Sequence, residues 1–332
     1  MSRLQLFWFG VWMCGVVFLT GCLGARYEPP LIETPGVLYR PASGGELPHR
    51  YPFVAKWNYD PGHLLVYLTA VHERGFYTPP RLALYAWQTG DVIELAVPTE
   101  HGSMSMVSQG PQNWLAYVTD TATKQQVWLY DIEQQTATPI TQGTFPSLAA
   151  DALQLAVWRG EPLHQKQLWQ LNLETGEEDL LATAPLPKNK DERVFVCCTT
   201  WSPDGKQLAY VIEVASVVRN EQGALEERDE LTIYDFESRT SRAILASRFL
   251  EEPSWSPDGH LLATIEGGGE NTNLLLIDVS QECIVAELPI PYLDYAFWTP
   301  QEEKIALVYW FNLYFLDIEA AFGAPYHELK CS

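Results

Sequence analysis

Short apolar runs alternate with clusters of turn residues along most of this chain, and two copies of one phrase define the pattern. Thr200–Gly205 and Ser254–Gly259 share the sequence Trp-Ser-Pro-Asp-Gly, and an apolar run follows each copy. Proline presets φ, Asp and Gly suit the later positions of a turn, and the flanking residues favour strands. The phrase therefore predicts a tight turn joining two strands. The predicted turn residues are Pro203, Asp204, Gly205, Pro257, Asp258 and Gly259.

Weaker copies of the phrase align on the first apolar residue after the turn, at intervals of about 40 to 54 residues. These six positions are Leu65, Leu115, Leu155, Leu208, Leu262 and Ile305. A second apolar run follows most copies and ends in an acid or an amide, at Asp131, Asn172, Asp235, Asp278 and Asp317. A turn and one more short strand then complete the period. Four short strands in each period are typical of a β-propeller blade.

These motifs resemble the TolB-like, Trp-Ser-Pro-Asp-Gly-type (WD40-like) propeller repeats of bacterial envelope proteins, over roughly residues 51 to 319. The resemblance implies an all-β fold, a six-bladed β-propeller with four antiparallel strands in each blade. Four tryptophans recur at equivalent positions, so we predict that they pack between blades rather than contact a ligand. They are Trp57, Trp201, Trp255 and Trp298.

The N-terminus resembles a bacterial lipoprotein signal. An apolar stretch from Leu6 to Phe18 leads into Leu19-Thr20-Gly21-Cys22, which resembles a lipobox. We predict a signal peptide over residues 1–21 and lipidation of Cys22; the alternative is an uncleaved membrane anchor. Both place the rest of the chain outside the cytoplasm. Leu23, in place of Asp, favours the outer membrane if the organism has two membranes.

Residues 22–50 are rich in proline and are predicted to form an extended tether. Residues 36–40 within it are short and β-prone. Because the last repeat stops after Asp317-Ile318 without an outer strand, we predict that residues 36–40 supply that strand and close the ring. The propeller then spans residues 51–319, and residues 320–332 form a C-terminal tail.

The formal charge of −21 argues against nucleic acid as a partner, since binding it requires a basic surface. Four cysteines remain besides Cys22 and the signal-peptide cysteine, and both disulfides and buried free thiols are open to them. A bridge from Cys283 to Cys331 is one candidate. The adjacent Cys197 and Cys198 are expected to point to opposite faces of a strand. Their spacing is not that of a metal site, so we expect neither a metal nor another cofactor.

The chain lacks a hydrolase nucleophile elbow, a zinc-binding helix and a phosphate-binding glycine loop, so we predict a non-catalytic protein. A dispersed carbohydrate site, as in propeller lyases and glycosidases, is the alternative. Clustered carboxylates and histidines with shifted pKa values around the channel would favour it. Its candidate residues are His72, Glu73, Arg74, His101 and His164.

Two connections between second and third strands are expanded, residues 70–81 in the first repeat and about 214–230 in the fourth, the latter resembling a charged hairpin extension. In a six-membered ring these two blades are opposite each other. Long loops on a rigid scaffold often carry function, and aromatic and Arg side chains are frequent at binding hot spots. We therefore predict a monomeric, membrane-anchored envelope lipoprotein whose propeller binds another envelope protein or a peptide. The predicted partner-binding residues are Arg74, Phe76, Tyr77, Arg81, Arg219 and Arg228.

Overall fold

The structure is a computed structural model and describes residues 38–39, 53–56, 63–68, 81–86, 88–97, 103–109, 114–120, 125–160, 165–219, 225–299, 304–309 and 312–331. All of them lie in one compact unit, residues 34–332. The other unit, residues 1–33, is outside the described part, and with it the predicted signal peptide and Cys22. Strands dominate the described residues.

These residues form six four-stranded antiparallel sheets, which we number 1 to 6 along the chain. Sheet 1 consists of β2 Phe53–Lys56, β3 His63–Leu68, β4 Arg81–Ala86 and β5 Val92–Glu94. Sheet 2 consists of β6 Ser103–Gln109, β7 Trp114–Asp120, β8 Gln125–Asp131 and β9 Thr136–Gln142. Sheet 3 consists of β10 Thr144–Leu148, β11 Gln154–Arg159, β12 Gln167–Asn172 and β13 Glu178–Thr183. Sheet 4 consists of β14 Glu192–Trp201, β15 Gln207–Arg219, β16 Leu225–Asp235 and β17 Thr240–Ser247. Sheet 5 consists of β18 Leu250–Trp255, β19 Leu261–Glu266, β20 Asn273–Asp278 and β21 Cys283–Pro289. Sheet 6 consists of β22 Leu293–Trp298, β23 Lys304–Tyr309, β24 Asn312–Asp317 and the N-terminal strand β1 Leu38–Tyr39.

The antiparallel order gives each sheet two distinct ends. The Trp-Ser-Pro-Asp-Gly turns join first to second strands at one end, which we call the turn end. At the opposite end, the crossover end, second strands connect to third strands and the chain passes to the next sheet. The six residues that align after the turns all lie in second strands, and each has 0% of its surface exposed. The repeat therefore places one fully buried side chain at the same point of every sheet.

Local hydrogen bonds explain why the two turns have the same sequence. The Ser202 hydroxyl donates to Asp204 Oδ1 over 2.7 Å and accepts from the N–H of Gln207 over 2.9 Å. Gly205 has a φ of +70°, which strains any residue with a Cβ. The second copy repeats this geometry with Ser256, Asp258, Leu261 and a φ of +74° at Gly259.

The acid or amide that ends the third strand of sheets 2 to 6 caps the turn that follows it. Asp278 Oδ1 accepts from the N–H groups of Ser280 and Gln281, each over 2.8 Å. Such Asx turns satisfy backbone donors that leave the strand ladder. The same role falls to Asp131, Asn172, Asp235 and Asp317.

Tryptophan indoles tie each of two sheets to the one before it, which confirms the prediction for these positions. Trp201 Nε1 of sheet 4 donates to the carbonyl of Ser147 in sheet 3 over 3.0 Å. Trp255 Nε1 of sheet 5 donates to the carbonyl of Thr200 in sheet 4 over 3.2 Å. At Trp298 the backbone N–H instead donates to Ser254 Oγ over 3.0 Å. Trp57 lies outside the described residues.

Apolar side chains bury the faces between successive sheets. Separate clusters join sheets 1 and 2, 2 and 3, 3 and 4, and 4 and 5, and β18 packs against β22 between sheets 5 and 6. A further cluster joins the last sheet to the first, where Tyr85 and Ala83 of sheet 1 pack with Phe297 and Phe315 of sheet 6. Each of the six sheets thus packs against two others.

The N-terminal strand β1 completes sheet 6. Leu38 pairs with Leu316 and Tyr39 with Phe315 on β24, so β1 takes the outer position for which the last repeat has no strand of its own. A short helix, α1 Ile318–Phe322, follows β24 and ends at Gly323, where φ is +75°. A 3₁₀ turn at Tyr326–Glu328 packs Tyr326 against Trp298, with ring centroids 5.2 Å apart.

The cysteines form two disulfides, one of which contradicts an expectation. Cys283 bridges to Cys331 and links sheet 5 to the C-terminal tail. Cys197 and Cys198 bridge to each other, so the expectation that they point to opposite faces is wrong. The reason is a bulge between Cys197 and Thr200, where Cys198 has a left-handed φ of 62° and leaves the alternation of the strand.

Helix is scarce in the described part of the chain, and no helix there is long and apolar enough to cross a membrane.

Candidate binding site at the crossover end of sheet 4

The predicted partner-binding residues fall in separate places. Arg219 ends β15 opposite Leu225, and Arg228 lies in β16, so both belong to one hairpin. The exposed Arg228 guanidinium forms an ion pair with Glu230, with Nη2 and Oε1 2.9 Å apart. Arg81 begins β4 in sheet 1. The other predicted residues lie outside the described part, namely Arg74, Phe76 and Tyr77 of the partner site and His72, Glu73, His101 and His164 of the dispersed site.

Sheet 4 extends further than the other sheets at the crossover end. Its second strand β15 has 13 residues and its third strand β16 has 11, whereas the second strands of the other sheets have six or seven. Six extra residues at about 3.3 Å each add roughly 20 Å of strand. Most of the segment predicted as an expanded connection is therefore regular hairpin.

One row of side chains crosses the base of this hairpin on the face toward sheet 5. Phe195 is opposite Glu213, Glu213 is opposite Asp229, and Asp229 is opposite Ser247. Directly opposed residues share one face of a sheet and lie about 5 Å apart. The neighbouring row toward the turn end contains Val211 and Leu231, which belong to the core between sheets 4 and 5. The row that contains Glu213 and Asp229 therefore lies next to the hydrophobic core between sheets 4 and 5.

Asp229 is the most buried member of the row, with 5% of its surface exposed. Its Oδ2 accepts from the N–H of Leu250, at the start of sheet 5, over 2.7 Å. Its Oδ1 is buried and has no hydrogen-bond partner. The pKa of Asp229 is raised to about 6, chiefly by burial; the Leu250 N–H lowers it, and the Glu227 carboxylate contributes a smaller increase.

Glu213 is half-buried beside it. Burial, and to a smaller extent the carboxylates of Asp229 and Glu227, raises its pKa to about 7. Arg193 lies in the row of Glu227, but its Nη1 donates to the carbonyls of Lys190 and Glu192, and no cation is among the groups that shift the pKa of Glu213. We call Glu213, Glu227 and Asp229 the carboxylate cluster.

A second acidic group lies nearby at the same end. Burial raises the pKa of Glu251 in β18 to about 7, and Glu252, Asp294 and Asp229 contribute in that order. Asp229 thus couples the carboxylate cluster to acids of sheets 5 and 6.

Two exposed aromatic rings accompany these acids. Phe195 is 40% exposed and Phe249, between β17 and β18, is 45% exposed. The guanidinium carbon of Arg248 lies 5.5 Å from the centroid of the Phe249 ring. Exposed aromatic side chains on a rigid scaffold are frequent at binding surfaces.

Sequence reasoning missed Phe195, Glu213 and Glu251, and it placed Asp229 in the expanded connection of the fourth repeat without assigning it a role. A signal was present, because Glu213 alternates with Val211 and Ala215 on what is otherwise an apolar face. Among the described residues, no group of three or more His, Cys, Asp or Glu side chains is arranged to hold a metal ion.

Comparison with known proteins identifies the fold. No protein-family model and no curated protein sequence matches the chain. Among solved structures, hydrazine synthase from Kuenenia stuttgartiensis matches with a TM-score of 0.52 at 15% identity, over 93% of this chain and 84% of that chain. A protein assigned as TolB from Agrobacterium tumefaciens matches with a TM-score of 0.50 at 12% identity, over 80% of this chain and 89% of that chain. The chain has a TolB-like β-propeller fold.

TolB from Acinetobacter baumannii also matches, with a TM-score of 0.47 and 16% identity over 72% of this chain. The present chain spans 60% of the length of that TolB chain. At such identities the likeness concerns the fold, and the TolB-like propeller is a scaffold that hosts many functions.

Proposed function

We propose that this protein is a lipid-anchored envelope protein whose six sheets form one closed six-bladed propeller, and that the crossover end of this propeller binds another envelope protein or a peptide without catalysing a reaction. The observation that carries the binding role is the crossover end of sheet 4, where a long hairpin, exposed aromatic rings and unneutralised carboxylates occur together.

Packing between successive sheets supports the closed ring. The cluster that contains Tyr85 and Phe297 joins sheet 6 to sheet 1, and β1 pairs with β24. Closure in this way leaves few free strand edges, which would otherwise invite aggregation.

The sequence Leu19-Thr20-Gly21-Cys22 supports the anchor. Two or three acyl chains on one cysteine hold a protein firmly on a membrane, whereas a single chain is marginal. The protein should incorporate labelled palmitate, and replacing Cys22 by Ser should abolish the incorporation. An unlabelled natural protein that is still found in the membrane fraction would indicate an uncleaved anchor instead.

The binding role is tested by photo-crosslinking in native cells. A benzophenone amino acid replaces Phe195 in the intact protein, and a matched variant carries it at Leu180, which is exposed on β13 of sheet 3. We expect one discrete protein or peptide adduct from position 195 and none from position 180. Adducts that are the same from both positions, or absent from both, would contradict the proposal.

A second candidate function is glycan cleavage. Glu213 and Glu251 have pKa values near 7, as expected of a carboxyl group that serves as a general acid at neutral pH. The purified protein is screened against envelope and plant polysaccharides for new reducing ends or unsaturated products. Turnover that Glu213→Gln abolishes would favour this candidate over the binding role.

A further inference from the structure

We propose that the carboxylate cluster seats one organic cation, the guanidinium or ammonium group of an Arg or Lys side chain on a partner peptide, with the Phe195 ring against its flank. This inference rests on the proposed binding function and adds the chemistry of the group that is recognised.

The first support is a local excess of negative charge. Glu213, Glu227 and Asp229 share one face of the hairpin, since Glu213 is opposite Asp229 and Ala215 is opposite Glu227. The charges that act on Glu213 and on Asp229 are carboxylates of this same cluster. Like charges this close are unfavourable unless a cation joins them, and a partner can supply that cation.

The second support is the unpaired oxygen of Asp229. The side chain is nine-tenths buried, and the Leu250 N–H occupies only Oδ2. Oδ1 has no hydrogen-bond partner and belongs to the row of Glu213. Buried polar atoms in native proteins are rarely left without a donor. A guanidinium or ammonium group is a strong donor to such an oxygen, and the bond is charge-assisted.

The third support is the aromatic ring beside the acids. Phe195 lies in β14, the first strand of sheet 4, is opposite Glu213 and has 40% of its surface exposed. A cation held by Glu213 would contact this ring, and cations bind favourably to aromatic faces. The apolar residues Val211 and Leu231 below the row lower the local dielectric and strengthen the attraction between opposite charges.

The chemistry favours an organic cation over a metal ion. The described residues do not contain a group arranged as metal ligands. Arg and Lys side chains extend several ångströms from a peptide backbone and carry their charge at the tip. Of the two, the planar guanidinium can bond two carboxylates at once.

Direct binding tests the inference with the full-length protein in detergent. The probe is a fluorescein-labelled Gly-Arg-Gly peptide, and the control ligand carries citrulline, a neutral isostere of Arg. Fluorescence anisotropy is measured at pH 8 and 0.15 M salt. We expect the Arg peptide to bind at least tenfold more tightly than the citrulline peptide.

Variants locate the site. Glu213→Gln should weaken binding of the Arg peptide at least tenfold, and Phe195→Ala about threefold. Glu174→Gln removes the same charge from an exposed turn of sheet 3 and should leave binding unchanged. Equal losses with Glu174→Gln and Glu213→Gln would show that the overall charge attracts the peptide, and the inference would fall. Circular dichroism checks that each variant is folded.

The outcomes separate this inference from the proposed function. If crosslinking at position 195 captures a discrete partner but the Arg and citrulline peptides bind equally, the binding role stands and the cation site is wrong. If the Arg peptide binds through Glu213 but no partner is captured, the cation site stands and the proposed role falls. Stoichiometric binding of Ca²⁺ with no binding of the Arg peptide would also overturn the inference.

Discussion

Replacing Glu213 by Gln should stabilise the protein, and more so at high pH than at low pH. The folded state raises the pKa of Glu213 from 4.5 to about 7, so it binds this proton more tightly than the unfolded chain does. Between these two pKa values the free energy of unfolding falls as the pH rises, because the folded protein must then accommodate an ionised carboxylate in a partly buried position. Glutamine has the shape of the protonated acid and removes this loss.

The magnitude follows from the two pKa values. A tenfold change in proton affinity corresponds to about 1.4 kcal/mol, so the ionised side chain costs roughly 3 kcal/mol at pH 8 and roughly 1 kcal/mol at pH 5. The difference between the two pH values, roughly 2 kcal/mol, is the quantity to measure.

Guanidinium unfolding followed by tryptophan fluorescence measures this difference at pH 5 and pH 8. The unfolding midpoint of Glu213→Gln should exceed that of the natural protein by clearly more at pH 8. Glu174→Gln serves as the control and should shift neither midpoint. A gain of the same size at both pH values, or a loss at pH 8, would refute the assignment of a strained charge to Glu213.

Three further predictions concern the scaffold. Trp201→Phe leaves the buried Ser147 carbonyl without its donor and should lower the free energy of unfolding by about 1–3 kcal/mol in the same denaturant assay. The indole nitrogen of Trp169 has no hydrogen-bond partner, so Trp169→Phe should lower the free energy of unfolding by less. Gly205→Ala should lower the free energy of unfolding by about 1–2 kcal/mol because φ is +70° at this position. Gly268→Ala should leave it nearly unchanged, since a Cβ at Gly268 would meet open space and its φ is not positive. Equal losses for the two variants would contradict the turn geometry. Non-reducing peptide mapping should find the Cys197–Cys198 peptide lighter by two hydrogens and the Cys283 and Cys331 peptides linked, and free thiols at all four positions would contradict both bridges.

The repeat could be predicted from the sequence because its defining bonds are local. Ser202, Asp204 and Gln207 close their turn within six residues, and Asp278 caps a turn that begins at its own position. Such residues must appear wherever the turn appears, so their spacing is visible without a structure. The position of Leu208 and its five equivalents follows from the same turns.

The vicinal disulfide and the carboxylate cluster could not be predicted in this way. Cys198 departs from strand alternation only because a bulge sets its φ to 62°, and two adjacent cysteines do not reveal a bulge. Glu213 and Asp229 meet because of the register of β15 and β16, which the sequence shows only once the hairpin is known to be regular. The sequence predicts an expanded connection that resembles a charged hairpin extension, and such a prediction does not fix which residues are opposite each other.

The position of the carboxylate cluster within the repeat bears on its role. Glu213 lies five residues beyond Leu208. The second strands of sheets 1, 3, 5 and 6 end three or four residues beyond their equivalent positions, and that of sheet 2 ends five residues beyond, at Asp120. Glu213 and its partner Asp229 therefore lie at the limit of the common repeat, and Glu227 lies in the part of sheet 4 that extends beyond it. Acids placed there reduce stability at neutral pH, and proteins tolerate such a cost most often where function depends on it. Among the described residues, this surface combines a cost to the fold with exposed aromatic rings at the crossover end, which is why we propose it as the place where a partner binds.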